Sequence, residues 1–113
     1  MVYNKSRNTL LAARPRRAEG FFERLLGLMG RKKFPCNSDA VIFDNCNAIH
    51  CCFMRMAIDA VFIDRTGQVI SCCHSLKPWR LAFGGAKAWA VIELPPGTLL
   101  KSRTEPGDEL VFD

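Results

Sequence analysis

The amino-acid sequence predicts a mainly β protein, an antiparallel β-sandwich or barrel with one N-terminal α-helix. Two observations support this fold class. Apolar residues follow a helical spacing over residues 19–31, and after Pro35 they form short runs that are separated by turn residues about every 8 to 12 positions. A parallel βαβ fold would need a crossover helix of about a dozen residues, and no segment after Pro35 has that length and period.

The predicted helix covers residues 19–31 and carries one apolar stripe. Two neighbouring rows at spacing four build the stripe: Phe21, Leu25 and Met29, with Phe22 and Leu26 beside them. Gly30 is a suitable C-terminal cap, and Pro35 excludes continuation of the helix.

Seven apolar segments after Pro35 are predicted to be strands. They are Ala40–Phe43, Ile49–Met54, Ile58–Ile63, Gln68–Cys73, Ala88–Leu94, Thr98–Lys101 and Glu109–Phe112. Residues 64–67 form a predicted hairpin loop in which Gly67 supplies a positive φ, and residues 106–108 form a second turn. Residues 75–87 are expected to be a longer loop.

The charge distribution divides the chain into two predicted parts. The 113 residues carry a net charge of +5. The basic residues before position 18 have no acidic residue among them: Lys5, Arg7, Arg14, Arg16 and Arg17. We therefore expect a basic N-terminal arm, residues 1–18, and a single β domain, residues 19–113. Five charges alone are a weak signal for nucleic acid, so we do not expect nucleic acid as a partner.

Export and membrane signals are not found in the sequence. The apolar stretch Leu10–Ala13 is shorter than a signal-peptide core, and no apolar run approaches the roughly 18 residues of a membrane helix. We therefore expect a cytoplasmic monomer without a membrane span, in which the six cysteines are free thiols.

Five short blocks of sequence, in a fixed order, resemble the family called domain of unknown function 192. The blocks are Arg24–Arg31, Cys46–His50 with Phe53–Arg55 and Ile58–Asp64, Leu76–Arg80, Ile92–Gly97 and Pro106–Asp108. The resemblance covers about residues 20–112. It implies a jelly-roll-like β-sandwich with one flanking helix, and it implies no established activity, cofactor or partner. The chain departs from the pattern at Cys51-Cys52 and at Ala57.

The favoured functional hypothesis is a small non-catalytic domain that binds a small molecule or a protein. Its predicted site is a concave patch of polar and aromatic residues that lie among core-forming runs: His50, Arg55, Asp59, Trp79, Arg80 and Glu93. Asp59 lies inside an apolar strand and therefore needs a partner, for which Arg55 or Arg80 is expected. Trp79 and Arg80 offer a stacking surface and a bidentate cation.

Two other classes remain open from the sequence. A hydrolase would use Asp59 and Glu93 as a pair of carboxylates. A soft-metal or redox protein would use His50, Cys52 and Met54, which share one face of a strand, with Cys72 as a further ligand. No nucleotide-binding, zinc or nucleophile motif is present, so no cofactor is expected.

Overall fold

The computed structural model describes residues 1–18, 38–50 and 56–113, and for His50 it describes the backbone only. The chain in these ranges is mainly β, with several sheets and one short helix. The elements are β1 (Val2–Asn4), β2 (Thr9–Ala12), β3 (Pro15–Arg17), β4 (Ala40–Asp44), β5 (Ala48–His50), β6 (Ile58–Ile63), β7 (Val69–Leu76), β8 (Leu81–Phe83), β9 (Ala90–Leu94), α1 (Thr98–Ser102) and β10 (Leu110–Phe112).

A five-stranded sheet in the order β3-β4-β9-β6-β7 lies at the centre of the fold. Every residue of β6 and β9 is buried, as expected for central strands that are covered on both faces. A three-stranded sheet, β10-β1-β2, and a two-stranded ribbon, β5-β8, complete the described strands. These strands do not close into a barrel.

Alternation along the central strands separates two apolar clusters, one on each face of the five-stranded sheet. One cluster, here called the α1 core, joins Val61 and Ile92 to Leu99 of α1 and to Val2 of β1. The other, here called the β8 core, contains Phe62, with Ala82 of β8 packed against it. Any side chain on β6 or β9 therefore belongs to one face or the other.

The segment predicted to be a basic arm is part of the folded domain. Residues 2–17 form β1, β2 and β3, and Val2 is fully buried. Val2, Leu11 and Ala12 lie among these cationic residues, and their burial in the α1 core stabilises the strands. The expectation of an arm outside the β domain is therefore corrected.

The pairing at one edge of the central sheet also corrects the predicted all-antiparallel arrangement. β3 pairs with β4 in parallel, with Pro15 opposite Ala40, whereas the other strand pairs of this sheet are antiparallel. Residues 18–39 connect these two strands, which is ample length for a parallel crossover. The predicted helix over residues 19–31 lies outside the described residues.

The segment Thr98–Ser102 is a helix, where the sequence analysis predicted a strand. Residues in the left-handed conformation bound it on both sides, Gly97 with φ 92° and Arg103 with φ 56°. Gly97 adopts this conformation without the steric cost of a Cβ atom, and so allows the chain to turn sharply after Pro96. A short apolar run does not distinguish a helix from a strand by period, which explains the wrong assignment.

Most other predicted elements are confirmed with shifted ends. β6 has the predicted bounds, and the hairpin loop that follows contains Gly67 at φ 90°. The turn at residues 106–108 contains Gly107 at φ 95°. The predicted loop over residues 75–87 was wrong in part, because it contains the end of β7 and all of β8.

Gly84 joins the β5-β8 ribbon to the core, and a Cβ atom there would lie 2.4 Å from the Phe62 ring. Phe62 is fully buried and cannot move aside. We therefore expect Gly84→Ala to lower the free energy of unfolding by about 1 to 3 kcal/mol through overpacking, measured by urea denaturation. In a Phe62→Leu background the additional cost of Gly84→Ala should shrink, and equal costs in both backgrounds would contradict the proposed clash.

Candidate functional site

Asp59 is a buried structural acceptor in this fold. Its side chain is fully buried and lies on the α1-core face of β6. Its two carboxylate oxygens accept backbone hydrogen bonds from Ser75, at 2.8 Å, and from Leu99, at 2.9 Å. The expected partner was an arginine; Arg55 lies outside the described residues and Arg80 is exposed. These two backbone amides therefore replace the hydrogen bonds to water that the Asp59 carboxylate loses on burial.

Glu93 lies on the opposite face of the same sheet. Ala60 stands opposite Glu93 in the β6–β9 ladder, whereas Asp59 stands opposite Leu94, so the two carboxylates leave the sheet on different sides. Glu93 is 5% exposed, and its burial raises the pKa of its carboxyl group to about 7. A hydrolase that uses Asp59 and Glu93 on one substrate does not fit this arrangement, since the sheet separates them.

The remaining residues of the predicted patch lie elsewhere or outside the description. Trp79 is 62% exposed and Arg80 is also exposed, in the connection between β7 and β8. His50 ends β5, where its backbone pairs with Leu81. The structure therefore does not bring the six predicted residues together in one pocket, because Asp59 and Glu93 are on opposite faces.

The soft-metal hypothesis involves residues that the structure describes only in part. Cys52 and Met54 lie outside the described residues. Cys72 is partly buried on β7, and burial is the main cause that raises the pKa of its thiol to about 11. A metal ion that bound this thiol would have to displace its proton. In the part of the chain that the structure describes, no three His, Cys, Asp or Glu residues cluster as a metal site would require.

Away from the predicted patch, a cleft of about 480 Å³ lies beside the start of β9, here called the Trp89 cleft. The segments 45–48 and 86–89 form its walls, and Arg65 of the β6–β7 hairpin loop lies at its edge. Its polar lining residues are Asn45, Cys46, Asn47, Arg65 and Lys87. The described lining thus carries two cations and no acidic side chain.

Backbone hydrogen bonds fix both walls of the Trp89 cleft. The chain turns at Asn45, with φ 54°, and the Cys46 amide donates to the Trp89 carbonyl at 2.8 Å. Asn is among the residues that adopt this left-handed conformation most readily. The Gly84 amide donates to the Asn47 carbonyl at 2.7 Å, which ties the wall at residues 45–48 to the residue that follows β8.

Arg65 stacks on the ring of Trp89 at the edge of this cleft. Its guanidinium carbon lies 3.9 Å from the ring centroid, which is well within the range of a cation–π contact. Among the described residues, Arg65 has no carboxylate partner. Stacking restrains the orientation of the guanidinium plane, and the N–H groups at its edge can still donate hydrogen bonds to a ligand.

A second cleft, of about 370 Å³, lies on the other side of the Arg65–Trp89 pair. It contains acidic side chains as well as basic ones, among them Arg17 and Asp44. These two side chains form an ion pair with each other. The charges in this cleft are therefore partly neutralised, which makes it a weaker candidate for a charged ligand.

The residues of the Trp89 cleft were not among those predicted from the sequence. The sequence analysis treated Trp89 as part of a strand, whereas it lies immediately before β9 and is half-buried. One signal was available in the sequence: no Asp or Glu occurs between Asp64 and Glu93, although four cations do. A charge map along the chain would have singled out this segment.

Comparison with known proteins decides the family. The family model DUF192, described as uncharacterized ACR, matches residues 2–112. The chain belongs to the DUF192 family. The resemblance from the five sequence blocks is thereby confirmed, and the match extends over residues 2–18, the segment that forms β1 to β3.

Relatives of this DUF192 chain span nearly its whole length. A UPF0127 protein of Pyrococcus horikoshii is 34% identical over 112 residues, which is 97% of this chain and 96% of that protein. A UPF0127 protein of Thermococcus sibiricus is also 34% identical and covers 100% of this chain and 75% of its own length.

A solved structure shows the same fold at low sequence identity. A protein of unknown function from Novosphingobium aromaticivorans superposes with a TM-score of 0.75 at 19% identity, and the match covers 88% of this chain and 74% of that chain. At this identity the likeness concerns the fold alone.

Among the described residues of this DUF192 chain, no helix has the length and apolar character needed to cross a membrane.

Proposed function

We propose that this chain is a small binding domain and that its ligand carries a carboxylate or phosphate group held in the Trp89 cleft. The observation that carries the proposal is the lining of this cleft, which combines Arg65 and Lys87 with no acidic side chain among the described residues. The described part of this lining contains no carboxylate or imidazole. This composition suits the binding of an anion.

Arg65 is suited to recognise an anion. Its contact with the Trp89 ring reduces the conformational freedom that the side chain would otherwise lose on binding. A guanidinium group binds a carboxylate or phosphate through two parallel hydrogen bonds. Trp79 and Arg80 were the residues predicted from the sequence to form such a pair of aromatic ring and bidentate cation. In the structure, Trp89 and Arg65 form one.

Lys87 and the asparagines add to the positive character of the cleft. Lys87 lies in the wall at residues 86–89, while Asn45 and Asn47 lie in the facing wall. Amide N–H groups donate to anionic oxygens, and an ammonium group adds a second full charge. A ligand with more than one anionic oxygen could therefore contact both walls.

Titration with pyrophosphate and with citrate tests the proposal. In a Trp79→Phe background, Trp89 is the only tryptophan of the chain, and its fluorescence reports on the cleft. We expect saturable changes, and we expect Arg65→Gln to weaken binding about tenfold or more, since a charge-assisted hydrogen bond contributes roughly 1.5 to 3 kcal/mol. Lys87→Gln should weaken binding by a smaller factor.

Two exposed cations away from the cleft provide matched controls. Arg14→Gln and Lys101→Gln change the net charge by the same amount as the test variants, and both residues are exposed. These controls should keep the wild-type affinity. Equal weakening in control and test variants, or no saturation up to about 10 mM of either anion, would reject the anion site.

A further inference from the structure

The outward face of β8 is apolar and exposed. Leu81 is 78% exposed and Phe83 is 69% exposed, and two residues before Leu81 the side chain of Trp79 is 62% exposed. Large apolar side chains in a row on a protein surface mark an interaction face more often than isolated ones do. None of these three residues lines the Trp89 cleft.

The packing of β8 fixes which face is turned outward. Ala82, between Leu81 and Phe83, packs against the β8 core. Gly84, immediately after the strand, is buried against Phe62. Alternation therefore leaves Leu81 and Phe83 on the side away from the core, and the strand cannot rotate to bury them without losing these contacts.

Exposed cations flank this apolar face along the chain. Lys77 and Arg80 are exposed on either side of Trp79. The sequence from residue 65 to residue 92 contains no acidic residue, so this stretch carries an uncompensated positive charge. The face therefore complements a surface that is negatively charged and has an apolar interior.

We propose that the outward face of β8 docks on an anionic lipid bilayer, with Trp79, Leu81 and Phe83 in the interface and Lys77 and Arg80 against the lipid headgroups. Tryptophan is enriched at membrane–water interfaces, and lysine stems lie along apolar surface while their charge stays in water. The lack of acidic residues over residues 65–92 favours an anionic lipid surface as the occupant.

Flotation with lipid vesicles tests this docking. We expect the protein to bind phosphatidylcholine vesicles that contain roughly 30 mol % phosphatidylserine more tightly than vesicles of phosphatidylcholine alone. Leu81→Gln with Phe83→Gln should lower the partition coefficient by about tenfold or more. Lys77→Gln and Arg80→Gln should each lower it about fivefold on the anionic vesicles. The fluorescence of Trp79, measured in a Trp89→Phe background, should shift to shorter wavelength on binding.

Leu100→Gln is the matched control, because Leu100 lies on α1 and is 76% exposed. This variant should bind vesicles like the wild type, as should Lys101→Gln. Urea denaturation of each variant shows that it is folded. Failure of the wild type to float with either vesicle, or an equal loss in Leu100→Gln, would overturn the proposal. The anion titrations use Arg65 and Lys87, so failure of one proposal leaves the other standing.

Discussion

Replacement of Asp59 by alanine is expected to lower the free energy of unfolding by about 2 to 4 kcal/mol. The substitution removes the acceptor of two backbone N–H groups, those of Ser75 and Leu99. The buried Leu99 donor left without a partner costs about 1 to 3 kcal/mol, and the lost hydrogen bond from the part-buried Ser75 amide adds about 1 kcal/mol. Because Leu99 is the second residue of α1 and is fully buried in the α1 core, the loss affects the attachment of the helix to the sheet. Urea denaturation measures the change.

Two further variants separate this effect from a general effect of charge. Asp59→Asn keeps one acceptor oxygen, so it should lose about half as much stability as the alanine variant. Asp44→Ala removes a half-exposed carboxylate that pairs with Arg17, and it should change stability by less than about 1 kcal/mol. If Asp59→Ala were as mild as Asp44→Ala, the role of Asp59 as a buried acceptor would be wrong.

The substitution Glu93→Gln is expected to stabilise the protein at alkaline pH and to leave its stability nearly unchanged near pH 4. Burial raises the pKa of Glu93 from 4.5 to about 7. Between these values the folded state keeps a proton that the unfolded chain has already released. The stability of the wild type therefore falls as the pH rises from about 4.5 through 7, by roughly 3 kcal/mol in total, whereas glutamine cannot ionise.

Urea denaturation of the wild type and of Glu93→Gln at pH 4 and at pH 8.5 tests this linkage. Glu109→Gln is the control, since Glu109 is an exposed carboxylate near Lys5 and should show no such pH-dependent gain. Among the described residues, no side chain donates a hydrogen bond to Glu93, and its ladder neighbours are Val41 and Ala60. A stability difference between wild type and Glu93→Gln that is the same at both pH values would contradict the raised pKa.

The strands that bury both faces were the most predictable part of the fold. The apolar runs of β4, β6 and β9 are nearly continuous, and they were predicted within two residues at each end. The short elements were not predictable, because their structure depends on distant partners. β1 exists through its pairing with β10, and α1 is held at Leu99 by Asp59, some forty positions earlier in the chain.

The candidate site was less predictable than the fold. Asp59 and Glu93 were predicted site residues because a carboxylate in an apolar strand needs a partner when it is buried. The structure shows that backbone N–H groups are the partners of Asp59. Whether Asp59 and Glu93 share a face of the sheet depends on the register in which β6 and β9 pair, and the sequence does not show that register. The contact between Arg65 and Trp89 joins a hairpin loop to a residue after a long connection, so no local pattern indicates it.

The pairing of β1 with β10 has a consequence for how the chain folds. Val2 lies opposite Phe112, so β1 can pair with β10 only after residues 110–112 have been synthesised. Until then the hairpin of β1 and β2 has an open edge on which another nascent chain could pair. Contacts this far apart along the polypeptide also make folding slow. The strands β6, β7 and β9 of the central sheet are closer together in the sequence and can pair before β1 pairs with β10.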